Sequence, residues 1–538
     1  MTVEPQTLVT GARAHLGGFP PTSQRRAGLA ATVTVAGILG WAVGGHLAGW
    51  SWGQWLGAGI GVTLAALVVV VPWLGQSVWS WLQLWLQGRQ SISWSEPFTV
   101  ANNRSGGGVR IEAGVAIVAV QLLGKAHAAT IVTGSTRVET DNVVDVASLF
   151  PLMSQPLGLQ LHSYSTVLAG SRRGRNGDYP RVYDTLIGTT PYAGKRESWL
   201  ILRLNVIDNA EALGWRTTVG SAAIAVAHRV AGSLRCAGLR ARVGTATDLA
   251  ALDQRLGAES LSAARTQWKQ LRAQDGWLTT YAYPADAIRA EVLAAAWTMP
   301  VDEVIQNVTV LADGTCTATV TVRTPQPLPA PPNVVLRTLR GEQAAALASA
   351  MCGPRPRLRA IPVGVLPPQL ELEIGPSGVL LGKLRNGDRL LVPLTDSTEP
   401  SRVFICGEDP LVKRLVIRAQ GSGDRLSVHT RDRARWASVR MPDVVVVGDP
   451  RPAPRSTISV VDGAIAPNPR PNTVITVAAA GTPPPAEGTV DVCIEQLSGT
   501  QALVKVTVGD KEWMADMELF RAENRYCTLE SVAMVRSH

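Results

Sequence analysis

The sequence predicts an α+β cytoplasmic region carried on an N-terminal two-helix transmembrane hairpin. Three observations lead there. Residues 27–88 run for 62 positions without an Asp, Glu, Lys or Arg. Beyond them, alternating apolar runs interleave with Ala-rich helical ones, the pattern of mixed sheets with helices packed on them. Asp313-Gly314 then sits between two cleanly alternating stretches within 305–323, the strongest short hairpin signal in the chain.

The hairpin comes first. Two apolar segments, Ala27–Leu47 and Trp55–Leu74, are each close to the ~20 residues a helix needs to cross hydrocarbon. Seven residues, Ala48–Gln54, join them, enough for a tight turn and too few for a domain. A water-soluble core cannot absorb two such helices with no charged face, so a membrane hairpin is the economical reading. Arg25 and Arg26 precede the first span and Arg89 follows the second, while the linking loop has no charge. Retention of basic residues on the cytoplasmic side predicts both termini and the main body inside, in a two-span inner-membrane protein. Trp50, Trp52 and Trp55 cluster at the outer turn, where amphipathic rings settle among headgroups. Gly40/Gly44 and Gly57/Gly61 have the small-xxx-small spacing that lets helix backbones approach, against each other or against a neighbouring membrane protein. Arg25-Arg26 followed by an apolar run also resembles a loose twin-arginine export signal, a reading the second span argues against.

Around the hairpin, residues 1–26 read as a mobile cytoplasmic tail and 75–94 as a Trp-rich interfacial helix presenting Trp79, Trp81 and Trp85. A bent continuation of the second span past Pro72 is the alternative. Residues 95–284 have the order β-α-β-β-α-β of a ferredoxin-like split βαβ unit. Within them Asp141–Met153 is the first helix and Val219–Ala237 the second, and the Arg-rich loop Ser171–Arg181 joins the middle strands. That loop reads as solvated or lipid-facing. Residues 285–400 form a mixed β-rich section with a stiff Pro-rich connector at 325–332. Residues 401–538 read as a small parallel βαβαβ unit with helices at Pro410–Gln420 and near Asp432–Ala437, followed by β-hairpins.

Composition narrows the function classes. The net charge of +9 suits an anionic membrane surface or simply an Arg-rich proteome. Six scattered Cys lack zinc spacing and suit reduced thiols in a cytoplasmic body. Gly407-Glu408-Asp409-Pro410 follows a strand and opens a helix, where a phosphate loop would sit. It carries two carboxylates and one Gly, so capping of the helix is the better reading. Walker, zinc-protease and nucleophile-elbow patterns are missing, and the basic loop lacks the interleaved aromatics of a nucleic-acid binder. No catalytic, cofactor-binding or metal residues are expected.

A two-span hairpin, a Trp-rich exit and a long α+β region, with Ser198–Leu204 (SWLILRL), Gly387–Leu394 (GDRLLVPL) and Val403–Gly407 (VFICG), resemble EccE, a membrane component of mycobacterial type VII (ESX) secretion systems. The resemblance implies a structural subunit without catalysis of its own, supporting export of small helical proteins beside EccB, the ATPase EccC and EccD. The rival class is a membrane-tethered nucleotide-sugar transferase, which a cleft lined by clustered carboxylates would favour.

Overall fold

The computed structural model describes residues 21–48, 51–70, 72–73, 76–77, 91–100, 106–134, 137–214, 216–486, 488–497 and 502–527. Two compact units are present, residues 1–90 and 91–538.

In the first unit, helix α1 spans Pro21–Ala48 and α2 spans Ser51–Val70. The helices therefore approach each other in sequence more closely than the expected seven-residue loop, because Ser51–Gln54 already joins the second helix. Pro72–Trp73 pairs antiparallel with Gln76–Ser77, so this stretch is a tight reversal and not the start of an interfacial helix. Pro72 lacks the N–H that would continue α2. Side chains are described for 31, 33–46 and 52–65 of the helix pair. Among the described residues, no helix is long and apolar enough to cross a membrane.

The second unit is mixed α+β and is built on two twelve-stranded sheets. In the first, β1 (Phe98–Val100), β2 (Gly107–Glu112) and β3 (Val115–Leu122) lead into the chain's longest pairings, with β7 (Ser163–Ser171) and β8 (Lys195–Asn205). Between β3 and β7 come β4 (Thr130–Thr133), β5 (Arg137–Thr140) and the short β6 (Val143–Asp145). After β8 come helix α4 (Val219–Cys236) and β9 (Ala241–Val243), with α3 (Tyr179–Ile187) preceding β8. The order β9-β3-β8-β7, all antiparallel, is that of a split βαβ unit. Its first helix is absent. Asp141–Met153 instead gives β6 and a 3₁₀ turn over Ala147–Met153, with Pro151 inside the segment.

Helix α5 (Ala246–Arg255), β10 (Leu271–Ala273), β11 (Gly276–Ala282), β12 (Glu303–Leu311) and β13 (Thr315–Thr324) extend this sheet to the order β10-β11-β13-β12-β7-β8-β3-β2-β1. The boundary at 284/285 thus falls between two strands of one sheet. Strand β3 explains why the sheet is buried on both faces. Ala116, Val118, Val120 and Leu122 pack with α4, while Ile117 and Ala119 pack on the opposite side with α5 and with α6 (Gln343–Ala348). Helix α5 starts on a capping box in which Thr245 and Asp248 satisfy each other's backbone N–H.

The second sheet joins strands from distant parts of the chain. Among the described residues, strand β14 (Glu371–Glu373) pairs only with β6, whereas β15 (Val379–Leu384) and β16 (Arg389–Val392) bring β4 and β5 into the second sheet. The parallel part consists of β17 (Ser401–Cys406), β18 (Leu426–Thr430), β19 (Val444–Val447), β20 (Ile458–Asp462), β21 (Thr473–Ala478) and β22 (Val492–Gln496), in the order β19-β18-β20-β21-β17-β22. Strands β20 and β21 are therefore parallel neighbours and not a hairpin, and β22 lies parallel to β17. The antiparallel continuation is β23 (Leu503–Val508) and β24 (Lys511–Asp516). Helix α7 (Asp409–Ser422) links β17 to β18. The second expected helix, near Asp432–Ala437, is a run of turns, because the Asp432 carboxylate accepts the Arg435 N–H and Arg435 reaches away to Asp409 and Asp462.

Helix α7 is buried from Leu411 to Ser422, charged residues included. One side faces the sheet, and α3 and α8 (Arg521–Cys527) cover the rest. Arg418 and Glu523, both fully buried, pair at 2.8 Å, and Glu523 also accepts from the Tyr179 hydroxyl at 2.7 Å. A carboxylate from the last helix thus joins α7 to α3.

Candidate functional site

The glycines singled out in the sequence meet where α1 crosses α2. A Cβ built on Gly40 would run into the Gly57 carbonyl, and one on Gly44 into the Gly53 carbonyl. From the other side, a Cβ on Gly57 would lie 2.9 Å from the Gly44 Cα, and one on Gly61 would strike the Ala36 carbonyl. Only residues without side chains let the two backbones sit this close. Outward from the crossing, Val35, Ile38, Leu39, Trp41, Leu56 and Ile60 are exposed. Trp52 and Trp55 lie in the first turns of α2 and are 76% and 73% exposed, so they point away from the helix pair. Arg25 and Arg26 fall in the first turns of α1. Trp50, Trp79, Trp81, Trp85 and Arg89 lie outside the described residues. Of the expected interfacial helix, residues 91–94 are described besides 76–77, and neither stretch is helical. Trp94 packs against Gly353, and the Arg110 guanidinium sits 5.7 Å from its ring.

Within the second unit, a cleft of about 910 Å³ opens between the two sheets. Its walls carry both charge signs, and these largely neutralise each other. Arg240 meets Asp396 at 2.6 Å, Arg255 meets Glu197 at 2.8 Å, and Lys195 meets Asp424 at 3.5 Å. Glu303 takes both Arg323 at 2.6 Å and Arg175 at 2.9 Å. Burial opposes ionisation of Asp396, but the Thr398 N–H and Arg240 outweigh it and hold its carboxyl below the usual range. These carboxylates are committed to arginines or, for Asp424, to a lysine, and among the described residues no group of three His, Cys, Asp or Glu could hold a metal ion.

The loop Ser171–Arg181 is solvated only in part: residues 175–178 and Arg181 are exposed, while Arg172 and Arg173 turn inward. Arg172 is buried, with Nε on Asp184 at 2.8 Å and its other nitrogens on the carbonyls of Thr190, Gly188 and Trp297. Arg173 lies between Asp184 and Asp302, and Arg175 reaches Glu303. Arg172, Arg173 and Arg175 brace the loop, because each of the three finds a carboxylate or carbonyl that local sequence does not reveal. The start of α7 is likewise occupied. The Glu408 N–H goes to the Gln496 side chain and the Gly407 N–H to the Ala478 carbonyl, leaving neither for an anion.

Sequence reasoning missed a second group of buried arginines. Arg203 on β8 is fully buried and donates to the carbonyls of Gly353, Ser349 and Met351 and to the Ser165 hydroxyl. Burial without a carboxylate lowers its pKa to about 10. Arg110 pairs with Asp253 at 2.6 Å, and Asp253 accepts the Cys352 N–H. The one available signal was an Arg inside the apolar strand 198–204.

Comparison with known proteins places these features in a family. A family model described as a putative type VII ESX secretion system translocon, EccE, matches residues 192–283, from the start of β8 to just past β11. The chain is 56% identical over 540 aligned residues to the ESX-2 secretion system protein EccE2 of Mycobacterium tuberculosis, covering 96% of this chain and 98% of that one. It is 30% identical over 184 residues to the ESX-5 secretion system protein EccE5 of Mycobacterium marinum, covering 33% and 45%. Over 392 residues it is 23% identical to the ESX-1 secretion system protein EccE1 of Mycobacterium tuberculosis, covering 70% and 77%. Identity at this level along almost the whole length of both chains shows that the protein belongs to the EccE family of type VII (ESX) secretion-system proteins.

Proposed function

We propose that this chain is a membrane-anchored structural subunit of a type VII secretion complex and that it has no catalytic step of its own. The hairpin holds it in the inner membrane with both termini and the body on the cytoplasmic side, next to EccB, the ATPase EccC and EccD. The observation that carries this reading is the helix pair. Glycines bring its backbones together, most of its outward side chains are apolar, and residues 27–88 have no Asp, Glu, Lys or Arg, a combination suited to lipid and costly in water. The paired charges of the inter-sheet cleft fit a scaffold better than a transferase, which needs carboxylates free to act.

The test is purification of the tagged full chain from its own membranes in mild detergent, with mass spectrometry of what co-elutes. Recovery of the secretion ATPase and channel-type subunits is the expected result. Recovery of the chain alone from membranes in which those subunits are present would contradict the proposal.

A further inference from the structure

Most basic side chains of the body are matched by an acid or by carbonyls, and one group without an ion pair gathers on a single edge. It lies along the outer edge of the first sheet. Arg272, on β10, faces Trp277 of β11 across the ladder, and Arg337 faces Ala282 further along the same strand. The Gly341 N–H bonds to the Trp268 carbonyl at 2.7 Å, which brings Arg340 beside Trp268 and Lys269. Arg357 joins them because its neighbours Leu358, Ala360 and Ile361 pack on Ala282 and Leu339. Lys269, Arg272, Arg337 and Arg357 are exposed and Arg340 is half-buried. None of the five has an ion pair among the described residues. Residues 325–369 contain a single acid, Glu342, and its buried carboxylate is taken by the N–H groups of Arg359 and Ala360.

We propose that this edge docks the body onto the anionic headgroups of the membrane leaflet. Unmatched cations supply the charge complementarity. Exposed Trp268, and Val334 three residues before Arg337, supply apolar groups of the kind that enter the headgroup region. A wholly electrostatic contact with an acidic protein would have no use for them. Tethering by the hairpin would raise the effective concentration of the body at the leaflet, so a patch too weak to hold a free protein can suffice. The inference therefore rests on the membrane-anchored reading above.

The experiment uses the full chain with Cys236→Ser, which removes the exposed native thiol, and Val334→Cys carrying an environment-sensitive dye. The protein is reconstituted with vesicles of phosphatidylcholine alone or with added phosphatidylglycerol. Flotation with the neutral vesicles reads the hairpin, and dye emission reads the edge. A blue shift confined to the anionic vesicles, reversed by high salt and lost in Lys269→Gln/Arg337→Gln/Arg357→Gln, supports the proposal. Removing three charges should weaken edge binding on the order of 100-fold. Normal flotation with no anion-dependent shift overturns the docking edge and leaves the anchor standing. Failure to float with neutral vesicles overturns the anchor, while a salt-sensitive shift on anionic vesicles still reads the edge by itself. A shift that appears only on addition of an acidic partner protein assigns the edge to protein and overturns the lipid proposal.

Discussion

The helix hairpin and the body solve the same packing problem in opposite ways. In the hairpin, backbones come together because Gly40, Gly44, Gly57 and Gly61 present nothing between them, and no ionic side chain takes part. In the body, close junctions form around buried arginines. Arg172, Arg203 and Arg418 each donate to carbonyls of segments distant in the chain. The difference teaches where each device is affordable. A guanidinium satisfies several carbonyls at once, and folding from water must supply its desolvation cost. A helix pair exposed to hydrocarbon gains nothing from charge and depends on shape.

The contrast can be broken at its strongest points first. Replacing all four hairpin glycines with Leu forces the backbones apart while preserving apolar content. The variant should remain in the membrane fraction at normal abundance yet fail to co-purify with the secretion subunits and abolish secretion. Normal co-purification would reduce the hairpin to a tether. In the body, Glu523→Ala leaves Arg418 charged and buried without its carboxylate, and should destabilise the full chain by roughly 3–5 kcal/mol in denaturant unfolding. Arg172→Met removes a guanidinium with four acceptors and should cost about 2–3 kcal/mol, whereas Arg357→Gln on the exposed edge should change stability by less than ~0.5 kcal/mol. Equal effects of those two substitutions would erase the distinction between bracing and exposed arginines.

Acidity gives the smallest effect. For Asp396, burial works against ionisation but the Thr398 N–H and Arg240 prevail. For Asp248, burial is likewise outweighed by Thr245 and Arg242. Both carboxyls are held below their usual range, so their stabilisation is complete above the unfolded value near ~3.9 and is lost as pH falls through the folded values. Asp253 has the opposite sign: burial raises it, and its favourable contribution fades as pH rises. The melting temperature should therefore fall on acidification below about pH 4, and Arg240→Gln should flatten that fall.

Local features of the chain were the legible ones. The strand at 198–204, the Ala-rich helix after Thr218, the Asp313-Gly314 hairpin and the crossing glycines follow from spacing of a few residues. Pairings between distant segments were hidden. Nothing near Thr130–Thr140 says that these strands leave their neighbours for a sheet completed 240 residues later by β15 and β16. The parallel arrangement of β20 to β22 was hidden because short apolar runs separated by Pro-rich loops look the same in hairpins and in parallel sheets. Charge was the most misleading signal. In the dense cluster Arg172–Arg175, Arg172 and Arg173 turn inward to partners over 100 residues away, as with Trp297 and Asp302. The cations of the docking edge are scattered between Lys269 and Arg357 and are gathered only by the sheet edge.

The most direct test of the anchored-scaffold account is labelling of intact cells with a membrane-impermeant thiol reagent. Gln54→Cys lies at the expected outer turn, and native Cys236, exposed on α4, reports the body in the same molecule. The account predicts labelling at position 54 and none at Cys236 until the cells are opened. Labelling of Cys236 in intact cells, with position 54 protected, would contradict it.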